Sequence, residues 1–324
     1  MTSFKQIGDD LYSGKRSFDF VGRRKLWYSI GAVLVILSVL IPIVRGGFNF
    51  GIEFRGGSEF RLTNSQALPL ELAEEAIHTV VPGVEVVVTE VGVADIRIQT
   101  EQLVDVESEA ARLALAEAYK VEGPSVASSF IGPNWGADVT RQAITGLLVF
   151  LVLVSLLMAI YFRSWKMSAA ALIALAHDLI ITIGIYAAVG FEITPAAVIG
   201  FLTILSYSLY DTVVVFDKVR ENTLDVEFSE TRTFGEMVNL AVNQTLVRSI
   251  NTSIVAVLPV ASILFVGATL LGAGTLRDIA LALFVGTIVG TYSSIFLAAP
   301  VYVHLRENEE KLKTAADKVA ANRE

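Results

Sequence analysis

The chain has 324 residues, 53% of them apolar and 18% charged, with a formal net charge of −8 and a mean hydropathy of +0.60. A soluble globular chain is about 45–50% apolar and about 25% charged, so the composition argues against an ordinary soluble enzyme and against a disordered chain. The absence of cysteine excludes disulfides, zinc–thiolate sites, iron–sulfur clusters and cysteine nucleophiles. The three histidines (His78, His177 and His304) lie too far apart in sequence to suggest a metal cluster.

A membrane-spanning helix needs about 20 mostly apolar residues. Six segments meet that length: Leu26–Val44, Ala143–Phe162, Met167–Val189, Thr194–Phe216, Ile250–Leu271 and Ile279–Val303. The first follows Lys15, Arg16, Arg23, Arg24 and Lys25, as a signal peptide would. It is longer than an h-region of about 7–15 residues and no A-x-A site follows, so it reads as an uncleaved span.

About 100 residues separate the first span from the second, and residues 45–142 read as a folded domain. Ser58–Leu62 alternates in polarity as a strand does. Leu70, Ala73, Ile77 and Val80 keep a helical period after Pro69. Val84–Glu90 is β-branched, Val91-Gly92 marks a turn and Ala94–Gln99 is the next strand. Leu103, Val106, Ala110, Leu113 and Ala114 return to the helical period, and Ser125–Ile131 is a last strand closed by Gly132-Pro133. The β-α-β-β-α-β order predicts a ferredoxin-like α+β domain.

Lysine and arginine orient the chain. Segments 1–25, 163–166, 217–249 and 304–324 hold 17 of them, against 8 in 45–142, 190–193 and 272–278. The expectation is a polytopic six-helix membrane protein with cytoplasmic segment 1–25, cytoplasmic link 217–249 and cytoplasmic tail 304–324. Residues 45–142 are then extracytoplasmic, and 143–303 hold the other five helices. The outer segment has 15 acidic residues against 7 basic ones, the reverse of a nucleic-acid-binding surface. It shows no nucleophile–base pair, phosphate-binding glycine loop or metal-ligand spacing, so it reads as a docking domain. No catalytic residue, cofactor or metal is expected.

Ionisable groups inside a membrane are costly and are functional candidates by default. Asp211 sits in the fourth span, followed by the apolar run Thr212–Phe216. An aspartate near a span centre costs about 2.5–3.5 kcal/mol on the insertion scale, so it must pair, bind a proton or line a wet cavity. Arg248, at the expected start of the fifth span, is its natural partner and cannot deprotonate. His177 and Asp178 in the third span are secondary candidates. Adjacent helical residues point about 100° apart, so these two need not touch. The Gly286-x-x-x-Gly290 spacing permits close helix contact.

Several motifs occur together and in order. They are SFDFVGRRKLWYSI at Ser17–Ile30, FNFGIEFRGGSEF at Phe48–Phe60, SFIGPNWG at Ser129–Gly136, AHDLIITIG at Ala176–Gly184, SLYDTVVVFDKVREN at Ser208–Asn222 and TLVRSINTS at Thr245–Ser253. In this set the chain resembles the SecF family of bacterial protein translocase subunits, which is RND-like. The resemblance implies a signature or hinge built from Gly51, Glu53, Phe54, Gly56 and Gly57, with Gly132 and Pro133 at the return to the membrane. It also implies proton coupling by Asp211 and Arg248. The implied partners are SecD in an obligate complex, the SecYEG channel, YajC and exported unfolded proteins, with no nucleic acid. The implied role is to use the proton-motive force in late steps of protein export, from the inner (plasma) membrane. Glu53 stands where the family's glycine motif has Asp, Arg55 replaces a smaller residue, and Tyr210 stands where relatives carry Asn.

Three rival readings stand beside this one. A proton-driven exporter of lipids or small molecules would need a larger or duplicated outer domain. An intramembrane aspartyl protease would need Gly-x-Gly-Asp, but Gly272-Ala273-Gly274 is followed by Thr275, and no H-E-x-x-H or G-x-S-x-G occurs. A passive scaffold would use Asp211 and Arg248 only as a structural pair.

Overall fold

The computed structural model describes residues 4–63, 69–91, 95–267 and 274–323. A short helix α1 (Phe4–Tyr12) precedes the first spanning helix α2 (Arg24–Val44). The sheet domain then runs α3 (Ile52–Arg55), β1 (Gly57–Leu62), α4 (Glu71–Val80), β2 (Val86–Val91), β3 (Asp95–Thr100), α5 (Asp105–Ala118) and β4 (Val126–Ile131). The remaining spans are α6 (Pro133–Phe162), α7 (Trp165–Val189), α8 (Pro195–Asn222), α9 (Phe234–Ser262) and α10 (Gly274–Ser293). A π-helical stretch at Ser294–Ala298 carries α10 into α11 (Ala299–Arg306), and α12 (Glu310–Ala321) ends the chain. Among the described residues six helices are long and apolar enough to cross a membrane.

The sheet order is β2-β3-β1-β4, and every pairing is antiparallel. The β-α-β-β-α-β order is therefore present, and the expected strand boundaries hold within two residues. The turn expected at Val91-Gly92 runs into residues 92–94, which lie outside the described residues. Strand alternation sorts the two faces. Phe60, Leu62, Ile96 and Ile98 point to the helices and are buried with Ala73, Ile77, Ala111, Leu115 and Tyr119. Glu59, Arg61, Arg97 and Gln99 pair on the opposite, polar face.

Two outcomes differ from the hydropathy reading. First, α9 begins at Phe234, sixteen residues before the expected Ile250, because Thr233 and Glu236 form a capping box. The Glu236 carboxylate accepts from the Thr233 amide at 2.8 Å, and the Thr233 hydroxyl accepts from the Glu236 amide at 3.4 Å. Such a box starts a helix whatever the polarity of the residues that follow. Residues 217–249, the expected link, are therefore mostly helix, and Arg248 lies mid-helix rather than at a helix start. Second, α6 starts at Pro133, ten residues before the expected Ala143, with proline in its first turn.

The spans divide into an inner and an outer set. Half of the most apolar window is buried in α7, in α8 and in the last span, against 11% or less in α2, α6 and α9. Large apolar side chains such as Ile36, Leu40, Leu153, Leu157, Val255 and Leu258 stay exposed on the outer set, as lipid-facing residues do. The inner set packs through small residues. A Cβ on Gly200 would lie 2.7 Å from the Ala282 Cβ, one on Gly286 would overlap Ile204, and one on Gly290 would lie 2.8 Å from the Ser208 Cβ. Residues 200, 204 and 208 of α8 thus face 282, 286 and 290 of α10, a ladder at four-residue spacing that accounts for the Gly286-x-x-x-Gly290 motif. A Cβ on Gly184 of α7 would likewise overlap Ser38 of α2.

Candidate functional site

The ladder between α8 and α10 leads into a buried polar cluster. One turn past Ser208 on α8 lies Asp211, and one turn past Gly290 on the same helix line lies Ser294. Asp211 is 4% exposed. Its Oδ1 accepts from the Ser249 hydroxyl of α9 at 2.7 Å, and its Oδ2 accepts from the Ser294 hydroxyl. Asp178 of α7 is also buried. Its Oδ2 accepts from Ser208 at 2.5 Å and from Ser293 at 2.8 Å, and its Oδ1 faces His177 Nδ1 at 3.3 Å. Ser253 and Thr291 share a hydrogen bond at 2.5 Å beside the cluster. Four spans thus converge on two carboxylates, and the adjacent serines 293 and 294 each serve one of them. The π-helical stretch opens at Ser294, and π-turns inside α-helices are frequent at functional sites.

The geometry corrects one expectation. Among the described residues no ion pair joins Asp211 to Arg248. Instead the neighbours exchange places: Asp211 takes Ser249, the residue after Arg248, while Arg248 Nη2 donates to the hydroxyl of Tyr210, the residue before Asp211, at 3.4 Å. Successive helical side chains diverge by about 100°, so one helix pair makes an inner contact (Asp211–Ser249) and an outer one (Tyr210–Arg248). Tyr210 is 56% exposed and Arg248 is also exposed on this single chain. Arg248 still contributes a positive field at Asp211. His177 and Asp178 touch, although adjacent residues of a helix need not.

The signature residues gather at the junction between the sheet domain and the helices. The chain leaving α2 pairs with the α7–α8 loop. Phe50 bridges Ile193 in parallel, Gly51 N donates to Ile193 O at 3.0 Å, and Ile193 N donates to Asn49 O at 2.7 Å. Gly56 and Gly57 have φ of 77° and 146°, a region that favours glycine. A Cβ on Gly57 would overlap the Thr100 carbonyl, and one on Gly136 would overlap the Phe54 carbonyl. Gly132 is extended and caps α6 ahead of Pro133. Among the described residues one buried carboxylate oxygen of Glu53 has no hydrogen-bond partner, and burial pushes its carboxyl above the usual range.

Sequence reasoning missed the clamp that holds this junction. The polar face of the sheet sits over the α7–α8 loop, where Arg97 Nη2 donates to Glu192 at 2.9 Å and Gln99 Nε2 donates to the same carboxylate at 3.4 Å. A cavity of about 280 Å³ opens there, lined by Asn49, Arg97, Glu192, Arg277 and Asp278 among others. Two residues on, Thr194 caps α8 and donates to Asp278 Oδ2 of α10 at 2.9 Å. A second missed element lies at the other end of the bundle. Asn239 and Asn243, one turn apart on α9, bind the backbone of residues 18–21. Phe18 N donates to Asn243 at 2.7 Å, Phe20 N donates to Asn239 at 2.8 Å, and both amide groups donate to Phe18 O.

Residues 113–308 match the family model for protein export membrane protein SecD/SecF, C-terminal, and residues 43–66 match the SecD/SecF GG motif. The translocase subunit SecF of Streptomyces coelicolor is 42% identical across 100% of this chain and 86% of its own length. The chain belongs to the SecF family. The SecF subunit of Mycobacterium leprae is 44% identical over 97% of this chain and 69% of its own length. A crystal structure of SecDF, a translocon-associated membrane protein from Thermus thermophilus, superposes with a TM-score of 0.77 at 32% identity over 90% of this chain. SecDF in its super-membrane-facing form gives 0.64 at 31% identity over 93%. This chain spans 39% and 40% of those two SecDF chains. The GG motif covers the Gly51–Gly57 signature, and the C-terminal model covers both carboxylates.

Proposed function

We propose that this SecF-family chain works as one half of a proton-driven complex in the inner (plasma) membrane. Its termini lie in the cytoplasm and its sheet domain lies outside. SecD is its obligate partner, and the complex uses the proton-motive force to promote late steps of protein export through SecYEG, with YajC associated and unfolded exported chains as substrate. The observation that carries the reading is Asp211, a carboxylate buried in the helix interior, served by two hydroxyls rather than by a cation.

Two features support it. Hydroxyls both donate and accept, so Ser249 and Ser294 can serve Asp211 in either protonation state. Arg248, exposed beside Tyr210 on this single chain, offers a cation that a partner half can cover. In the cycle, a proton from outside neutralises Asp211, its attraction to the field of Arg248 falls, and the four helices that share the cluster repack. The sheet domain tilts about Gly56-Gly57 and Gly132-Pro133, and proton loss toward the cytoplasm resets the chain. One charge crossing 100 mV supplies about 2.3 kcal/mol, enough to bias two states roughly 50-fold.

The test is D211N in membrane vesicles that contain SecD, with export of a secreted protein followed with and without a proton gradient. Loss of the gradient-dependent component in an assembled complex supports the reading. A retained gradient response makes Asp211 a structural residue and the chain a scaffold.

A further inference from the structure

The His177–Asp178 pair is not used in that cycle, yet it is the more deeply buried of the two acidic centres. Asp178 is 1% exposed and His177 is 6% exposed. The Asp178 carboxylate accepts from Ser208 of α8 and Ser293 of α10 and faces His177 on its own helix. Among the described residues no lysine or arginine forms an ion pair with it. On its other side the imidazole meets α2 at Gly31, where a Cβ would stand 3.2 Å from Nε2. It meets α10 at Tyr292, whose ring lies 5.9 Å away. His177 Nε2 is buried and has no hydrogen-bond partner among the described residues.

An ionised Asp178 beside a neutral imidazole would place a net negative charge in the buried interior of the bundle, opposed among the described residues by two hydroxyls. Isolated buried charges are not tolerated, and the group takes up a proton or a partner instead. A single proton satisfies the site in either position. On the imidazole it makes an imidazolium–carboxylate pair across the 3.3 Å Nδ1–Oδ1 contact. On the carboxyl it leaves both groups neutral.

We propose that the His177–Asp178 pair carries one bound proton at neutral pH and is a second protonatable centre whose occupancy is linked to that of Asp211. The linkage runs through one peptide unit. Ser293 donates to Asp178 and Ser294 donates to Asp211, so a shift of α10 at the start of its π-helical stretch alters both grips together. Ser208 adds a second route, because it binds Asp178 and lies one turn from Asp211 on α8. Gly31 belongs to the same device: any larger residue there would press on the unpartnered imidazole nitrogen. This inference deepens the proton-coupling reading of Asp211 and rests on it only for the linkage.

The test is nitrogen-15 magnetic resonance of histidine-labelled full-length chain, assembled with SecD in lipid bilayers and titrated through neutral pH. An infrared carboxyl band is recorded in parallel. The chain has three histidines, and H177N assigns the signal. The expected result is a proton on the pair at pH 7, seen as imidazolium or as a protonated carboxyl. D178N removes it. S293A, which deletes one donor to the carboxylate, holds the proton to higher pH than the native chain, and it keeps the test open where D178N does not assemble. D211N shifts the pH at which the pair titrates. A neutral imidazole beside an ionised Asp178 at pH 7 overturns the proposal, as does a titration that D211N leaves unmoved. Failure of the Asp211 reading shows separately, as gradient-driven export that survives D211N while the pair still holds its proton.

Discussion

Replacing Gly286 with alanine tests whether the ladder between α8 and α10 sets the geometry of the carboxylates. The added Cβ would overlap the Ile204 side chain. Overpacking of this kind costs about 1–3 kcal/mol, or about 5- to 140-fold in the folding equilibrium. Alanine also gains about 0.8–1 kcal/mol of helix propensity over glycine, so only a real clash leaves the variant destabilised. Gly146 of α6 has nothing within 4 Å of its built Cβ, and G146A is the matched control, expected to be neutral or stabilised. Gly286 lies eight residues before Ser294, about 12 Å along the helix, so a displaced α10 also loosens Ser294 from Asp211. The assay is unfolding in mixed detergent micelles, with gradient-driven export measured on the same variants. Ile204→Ala makes room for the new Cβ, so G286A and I204A together are expected to couple favourably by about 0.5–3 kcal/mol. A G286A chain as stable as the native one, or a double variant whose effects simply add, would refute the ladder.

Three further outcomes follow from the same contacts. E192Q weakens the bond from Arg97 and is expected to cost about 1–3 kcal/mol at the junction, less than a fully buried pair because both partners keep some exposure; faster amide exchange in residues 190–194 checks it. N239A with N243A removes the clamp on residues 17–21, and tryptic cleavage at Lys15 and Arg16 should accelerate while the sheet domain stays protected. Glu53, whose carboxyl burial holds above the usual range, is more costly folded when ionised than when protonated. Stability is therefore lost as pH rises from the unfolded value through the folded one. E53Q should remove that loss, so its thermal midpoint should gain on the native chain at about pH 8 more than at about pH 4; a gain independent of pH would show that Glu53 does not titrate across that range.

The spans and the sheet were legible because each repeats a simple period. Twenty apolar residues mark a span wherever they occur, and the two-residue alternation of Ser58–Leu62 predicts which face of β1 is buried. The ends of α6 and α9 were not legible from hydropathy, because their outer turns are polar and are fixed by a capping box at Thr233 and a proline at 133. Asp211 and Asp178 stood out because a charge in an apolar run has no bland explanation. The serines that hold them did not, since one serine in a helix is common. The signal that could have found them is their spacing: Ser249 and Ser253 fall on one face, and Ser294 continues the small-residue line Ala282, Gly286, Gly290. The direct contacts fall one residue off the Asp211–Arg248 pairing on each helix, and one residue is a full 100° of rotation.

The two ends of the molecule are joined by the same pair of helices. Thr194 opens α8 and binds Asp278 of α10 beside the Glu192 clamp on the sheet domain. Asp211 lies 17 residues along α8 from Thr194, and Ser294 lies 16 residues along the other helix from Asp278, about 26 and about 24 Å. Between these points the helices interlock at Gly200, Gly286 and Gly290, where no side chain is free to take up slack. Two helices joined at both ends and interlocked between them give a displacement at one end a route to the other. A change at Asp211 that shifts α8 is then expected to reach Thr194 and Glu192, where the sheet domain is held. The polar contacts lie at the two ends and the tight apolar packing lies between them. That distribution suits the transmission of a small displacement from a buried carboxylate to an outer domain.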